Sequence, residues 1–252
     1  MDGIFVILLP FVLLLARVGA FMGVAPIFGS SAVPGAVKSA LVVWVALFFA
    51  FMMPPAVNAG MVHWMRAVML VVQEVIIGLA LGLAARFIFM AVQQGGSLIA
   101  QAMGMADAGV IDPVSGEESE TIATFMEMTI TLAFLAIGGH HVLLILLARS
   151  YQVFPMASLP DVTALAQGLV SAGSAMLVMG LKLSAPLVAA FMVLSVVLGI
   201  IARALPEMNI LFESFPLRIG LGLLLTAAIM PGIGKFTVEL GNWMSRIIAS
   251  GS

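Results

Sequence analysis

The sequence predicts an all-α, polytopic membrane protein of six to eight hydrophobic helices arranged as hairpins, several of them broken by Pro or Gly. Three observations carry that prediction. Of 252 residues, 63% are hydrophobic and 9% charged, against about 25% charged in an ordinary soluble domain. That is more apolar surface than a soluble fold of this size can hide. The apolar residues also gather in runs of the length a bilayer demands, since a ~30 Å hydrocarbon core takes about 20 helical residues at 1.5 Å rise. Finally, the runs lack the roughly ten-residue alternation of an outer-membrane barrel. Helices remain as the form that satisfies backbone groups in lipid within one segment.

The runs fall at 4–28, 36–57, 61–92, 121–148, 164–202 and 216–249. The first lacks a basic leader and carries Pro10 and Arg17 where a signal peptide would have an unbroken apolar centre, so a retained helix is expected. In the first and third, Gly19 with Gly23 and Gly78 with Gly82 have the small-xxx-small spacing that lets helix backbones approach closely. The third also holds Arg66, Glu74 and Arg86, whose spacing allows either a polar stripe along one helix face or, for Arg66 and Arg86, helix-end side chains that carry their charges out to water. The fifth run would reach about 58 Å as one straight helix, almost twice the hydrocarbon thickness. A break is expected at Lys182 and Pro186, where proline removes a backbone donor. The last run carries Pro-Gly-Ile-Gly-Lys at 231–235, which should divide it. Basic residues in the connections give only a feeble positive-inside bias, a hint that apolar faces are turned to partner proteins instead of lipid.

Several chemistries are excluded. The net charge of −2, with ten basic residues scattered singly, argues against nucleic acid as a partner. The absence of cysteine removes disulfides, thiolate metal sites and cysteine nucleophiles. His140 and His141 are adjacent, so on a helix they point about 100° apart and cannot share a metal from one surface. Gly234-Lys235 is followed by Phe236 where a phosphate-binding loop wants Ser or Thr, and Gly220-Leu-Gly222 lacks the third glycine of a dinucleotide fingerprint. No nucleophile elbow is present. The sequence therefore implies no catalysis, no cofactor and no metal.

Ionisable residues inside apolar runs cost about 2.5–3.5 kcal/mol at mid-helix, which makes them functional suspects. Arg17, Glu74 and Glu127 are the buried-charge candidates, with Lys182 beside them. A second anomaly is the stretch QAMGMADAGVIDPVSGEESE, Gln101 to Glu120. Between Arg86 and Arg149 there is no Lys or Arg, yet six of the chain's twelve acids fall there.

In order and spacing the chain carries Pro-Ile-Phe-Gly (Pro26 to Gly29) with Lys38, Gly-x-x-Ile-x-x-x-Met-Gly (Gly96 to Gly104), and Asp-Pro-x-Ser-Gly (Asp112 to Gly116). It continues with Gly-Gly-His-His (Gly138 to His141), Ser-Tyr-x-x-Phe-Pro (Ser150 to Pro155), Ala185-Pro186, Arg203 to Asn209, and Phe215 to Gly220. With these motifs, over nearly its whole length, it resembles the FliR family of flagellar export-gate proteins and is similar to the T-family subunits of virulence type III secretion. Glu207 stands where that family more often has Gln.

The resemblance implies one export-gate subunit over 1–252, in the bacterial inner membrane at the flagellar basal body. It implies assembly with FliP-like and FliQ-like partners, and with a FlhB-like export protein, into a pore that passes unfolded flagellar proteins. It also maps 103–120 onto a pore plug, in which Gly104, Gly109 and Gly116 supply backbone freedom and Pro113 stops a helix. Met103 and Met105 would pack softly there, and Asp107, Asp112, Glu117 and Glu118 would keep the segment hydrated. Arg203, Pro206, Asn209 and Pro216 are expected to serve subunit packing or helix breaks. The competing expectation is a secondary transporter coupling ions through Glu74, Glu127 or Lys182, which would be expected to show internal repeats. No repeat relates the two halves.

Overall fold

The computed structural model of the chain describes residues 2–29, 33–52, 64–104, 121–157, 162–204 and 214–228, with backbone alone at 2–7, 121 and 122. Among these residues there are seven helices and no strand. They are α1 (Asp2–Val24), α2 (Gly35–Met52), α3 (Trp64–Ala102), α4 (Thr121–Ala136), α5 (Gly139–Val153), α6 (Val162–Ala204) and α7 (Ser214–Ala228). The all-α prediction is met, and for the physical reason given: runs with almost no charge can bury their backbone polar groups only by bonding within the segment. By length and composition α2, α3 and α6 can each cross a membrane, and α4 with α5 can count as a fourth, broken span.

The described residues form two compact units. The first takes the chain up to Ile88 together with Gly138–Gly173. Here α1 packs on α2, and Leu9 and Leu13 of α1 bury themselves against Leu70 of α3, with Met156 and Ala157 covering the cluster. Phe49 of α2 meets Tyr151 of α5 with ring centroids 5.8 Å apart. The second unit takes Phe89–Ile137 and the described chain from Ser174 onward. Phe89 of α3 and Phe134 of α4 make an edge-on pair at 5.3 Å there, a geometry that aromatic quadrupoles favour.

Two expectations change at this level. The fifth run does not break at Lys182 and Pro186: α6 is one helix of 43 residues with Pro186 inside it. The ring nitrogen leaves the Lys182 carbonyl without its helical donor. Among long apolar stretches, where the rest of the backbone stays bonded, that single loss is tolerated. The break falls instead at Gly138, which adopts φ 74° between α4 and α5, the left-handed region open to glycine. The polar stripe along α3 also gives way. Arg66 and Arg86 are exposed while Glu74 is buried, because eight residues of helix turn about 80° past two full turns.

Both α3 and α6 carry far more helix than a bilayer core requires. At 1.5 Å per residue they run to about 58 and 64 Å. Large apolar side chains stay exposed on α2 (Trp44, Phe48, Phe51) and on α6 (Val193, Val196, Ile200).

Candidate functional site

Two clusters stand out, one in each unit, and both are built on an arginine that reaches the carboxyl end of another helix. In the first unit Arg17 of α1 is fully buried and ion-pairs through Nε with Oε2 of Glu74 on α3, itself 2% exposed. Its Nη1 donates to the Ser150 carbonyl at 3.2 Å and lies 3.4 Å from the Ser150 hydroxyl, while Nη2 donates to the Phe154 carbonyl at 2.9 Å. Ser150 lies in the last turn of α5 and Phe154 is its C-cap; the Ser150 carbonyl already accepts the Phe154 N–H at 2.8 Å, so the cation adds a second donor there and also meets the C-cap carbonyl, at the negative end of the helix. The guanidinium also sits 4.3 Å over the Tyr151 ring. Glu74 takes a further hydrogen bond from the backbone N–H of Ala157, a residue with φ 62°. One planar fork with five donors thus ties α1, α3 and the exit of α5.

In the second unit α3 ends in a tightened turn. The Met103 N–H donates to the Ile99 carbonyl at 3.0 Å and the Gly104 N–H to the Gln101 carbonyl at 2.9 Å. Gly104 then turns out of the helix at φ 80°, the left-handed exit that glycine makes without a Cβ clash. Met103 is fully buried. Arg218 of α7 lies against this end: Nη1 approaches the Ala102 carbonyl at 3.5 Å, and Nη2 donates to the Ser195 hydroxyl of α6 at 3.2 Å.

Close backbone crossings hold each unit. A Cβ on Gly78 would stand 2.5 Å from the Arg17 carbonyl oxygen, and one on Gly82 would stand 2.9 Å from that of Phe21. In the second unit a Cβ on Gly180 would lie 2.9 Å from the Ala91 carbonyl oxygen, and one on Gly96 would lie 2.8 Å from the Ala123 Cα. Among the described residues no cluster of three His, Asp or Glu could hold a metal.

Residues 8–242 match the family described as bacterial export proteins, family 1. The chain belongs to that family. It is 33% identical over 237 residues to the flagellar biosynthetic protein FliR of Escherichia coli K12, covering 93% of this chain and 89% of the relative. It is 30% identical over 235 residues to FliR of Bacillus subtilis 168, covering 91% and 89%. The virulence relation is present too: the surface presentation of antigens protein SpaR of Salmonella typhimurium LT2 is 27% identical over 216 residues, covering 83% and 78%. Family and apolar helices together make this export protein a membrane component of flagellar type III protein export.

The sequence-predicted residues of this export protein are distributed as follows. Arg17 and Glu74, marked separately as buried charges, are brought together. Glu127 is half-buried on α4, and its carbonyl accepts from the Thr131 hydroxyl at 2.7 Å. Lys182 is exposed, and Arg203 is exposed in the last turn of α6. Pro216 lies within the first turn of α7, where a missing N–H costs no helical bond. Gly78 and Gly82 face α1 closely, Gly19 meets only the Val42 side chain at 3.5 Å, and Gly23 has open space. The rings of His140 and His141 lie just after Gly138 with centroids 4.1 Å apart, tilted by 38°. Of the plug stretch, Met103 and Gly104 are described; Met105, Asp107, Gly109, Asp112, Pro113, Gly116, Glu117 and Glu118 lie outside the described residues, as do Pro206, Asn209 and 231–235. Sequence reasoning missed Arg218 as a helix cap and the crossing glycines Gly96 and Gly180. A basic residue within the first two turns of a helix, one turn before a glycine, was the available signal for Arg218.

Proposed function

We propose that this chain is a structural, non-enzymatic, pore-forming subunit of the flagellar type III export gate in the bacterial inner membrane, at the flagellar basal body. On this reading it assembles with FliP-like and FliQ-like subunits, adjoins a FlhB-like export protein, and passes unfolded flagellar proteins. The segment of about 103–120 closes the conduit at rest. The observation that carries the reading is the pairing of export-family membership over residues 8–242 with helices of 39 and 43 residues whose apolar faces stay exposed. Helices that outrun the bilayer while exposing apolar side chains are suited to gripping sister subunits. A plug needs a fixed root, and Met103 and Gly104 at the end of α3 supply one.

Affinity purification of the tagged chain from its native membrane, followed by mass spectrometry, is expected to recover small apolar partner subunits. Deletion of Gly104 to Glu118 is expected to raise ion leakage through the assembled complex. A chain that purifies alone, with conductance unchanged by the deletion, would contradict the reading. Of the three ionisable groups the transporter alternative invokes, Glu74 is committed to Arg17 and Ala157, which leaves Glu127 and Lys182 to carry it. Proton-coupled uptake by the purified chain alone is the result that would favour the alternative.

A further inference from the structure

In the second unit the two sides of α3 are made of different residues. On one side Ala91, Gly95, Gly96 and Ala100 are buried, and they let neighbouring helices come close. A Cβ on Gly95 would lie 3.1 Å from Leu183 Cδ2 and 3.2 Å from the Gly180 carbonyl oxygen of α6, just as one on Gly96 would meet Ala123 of α4. On the other side stand Gln93, Gln94 and Gln101, all exposed, with Ser97 half-buried among them. Residues three, four and seven apart fall on one helix face, so the four make a single uncharged polar stripe about 12 Å long. Gln101 Nε2 donates to the Ser97 hydroxyl at 3.4 Å. Gly180 makes room for the stem of Gln94, since a Cβ there would come 3.3 Å from Gln94 Cγ and 3.4 Å from Gln94 Cβ.

The other helices of this unit turn large apolar side chains outward: Phe125, Met128 and Leu132 on α4, Val193 and Val196 on α6, and Leu224 on α7. Lipid does not suit a row of amides, because it offers no replacement for the hydrogen bonds that water makes. A closely packed helix does not suit it either. Small residues carry such contacts, and on this half of α3 they lie on the opposite side. What fits is water, together with a hydrogen-bonding ligand that is not fixed in place. An amide both donates and accepts, so it serves a peptide N–H or C=O whatever the sequence, and the stripe matches about three to four residues of extended chain at ~3.3 Å each. The missing charge matters as well. A fixed charge would detain segments of opposite sign, whereas an amide exchanges its bonds with water at little net change in free energy.

We propose that the face of α3 bearing Gln93, Gln94, Ser97 and Gln101 lines the export conduit, and that its ligand is the main chain of an unfolded polypeptide in transit. The inference rests on the pore-forming reading given above.

The test uses the assembled complex in its membrane, with an exported protein held part-way by a stably folded domain fused to its end. A benzophenone amino acid is placed singly at Gln94, at Gln101, at Met105 in the segment assigned to close the conduit, and at Met128, exposed on α4. Adducts with the stalled protein are expected at 94 and 101 and not at 128. If the change beside Gly180 prevents assembly, position 93 replaces 94. Adducts at 94 and 101 with another subunit or with lipid alone would overturn the inference, as would capture of the stalled protein at 128 to the same extent. Capture at Met105 without capture at 94 or 101 overturns it too and leaves the pore-forming reading intact. Capture at none of the four positions removes that reading and this inference with it. A second measurement reads the neutrality of the stripe. Gln101→Lys is expected to slow export of an acidic cargo about threefold relative to a basic one, the size of one exposed ion pair, and Gln101→Glu to reverse the preference. Equal rates for both cargoes in both variants would mean that no passing chain meets position 101, which overturns the inference.

Discussion

Arg17 and Glu74, 57 residues apart in sequence, form a buried ion pair whose cation also caps the carboxyl end of a third helix. The arrangement solves the problem each residue poses alone. A lone ionised group at that depth carries several kcal/mol of desolvation; here every Arg17 nitrogen has an acceptor, and the carboxylate has two donors.

Removing one partner should therefore hurt much more than removing both. Arg17→Ala or Glu74→Ala is expected to destabilise the chain by about 3–5 kcal/mol, whereas paired replacement of both by methionine costs markedly less. Thermal unfolding of the purified variants in detergent checks this. A pair replacement as damaging as the single ones would show that the Ser150 and Phe154 contacts, rather than the ion pair, hold the corner.

The glycines of α3 and α1 separate two readings of the same spacing. Gly78→Ala would push a methyl against the Arg17 carbonyl and 2.9 Å from the Ala20 Cβ. Overpacking of this kind typically costs about 1–3 kcal/mol. Gly23, also in a small-xxx-small pair, has nothing within 4 Å, so Gly23→Ala should be neutral or gain up to about 1 kcal/mol of helix propensity. Midpoints from the same unfolding assay order the two.

These contrasts show what was legible in the sequence. Helix number and rough extent were readable because lipid imposes one solution on an uncharged run. Arg17 and Glu74 were readable as buried charges from their apolar surroundings, but not as a pair, since adjacency across 57 residues depends on tertiary packing. Pro186 misled because the rule that proline ends a helix weighs less where the alternative is unbonded backbone in an apolar phase. Arg218 was hidden in a stretch whose balanced charges, Arg203, Glu207, Glu213 and Arg218, suggested a connecting loop with a local ion pair. In the structure it lies on α7 and serves the end of α3. The acidic stretch after Gly104 was conspicuous in sequence for its missing counter-charge, a property that states composition and not position.

The break between α4 and α5 gives a third expectation. Gly138 has φ 74°, and a Cβ there would stand 3.3 Å from Nδ1 of His141. Gly138→Ala should cost about 1–2 kcal/mol through the left-handed backbone alone. Gly168→Ala on α6, with nothing within 4 Å, is the control and should not lower stability. Equal stability of the two variants would mean that the backbone at Gly138 readily relaxes to a right-handed conformation.

The last expectation concerns Pro186, and its sign follows from the unbroken helix around it. Proline inside a helix usually costs about 3 kcal/mol relative to alanine, part from the lost hydrogen bond and part from the ring clashing with the preceding turn. Pro186 itself is exposed on α6, and the nearest hydroxyl along the helix, that of Ser184, is turned to the Leu181 carbonyl at 3.2 Å. The Lys182 carbonyl is thus the group that gains when position 186 acquires an N–H. Pro186→Ala should stabilise the isolated chain, by about 1–3 kcal/mol, and should slow hydrogen exchange in the turn from Lys182 to Pro186. If stability falls instead, the freed carbonyl is already engaged by another group, and proline is retained at this position for that contact.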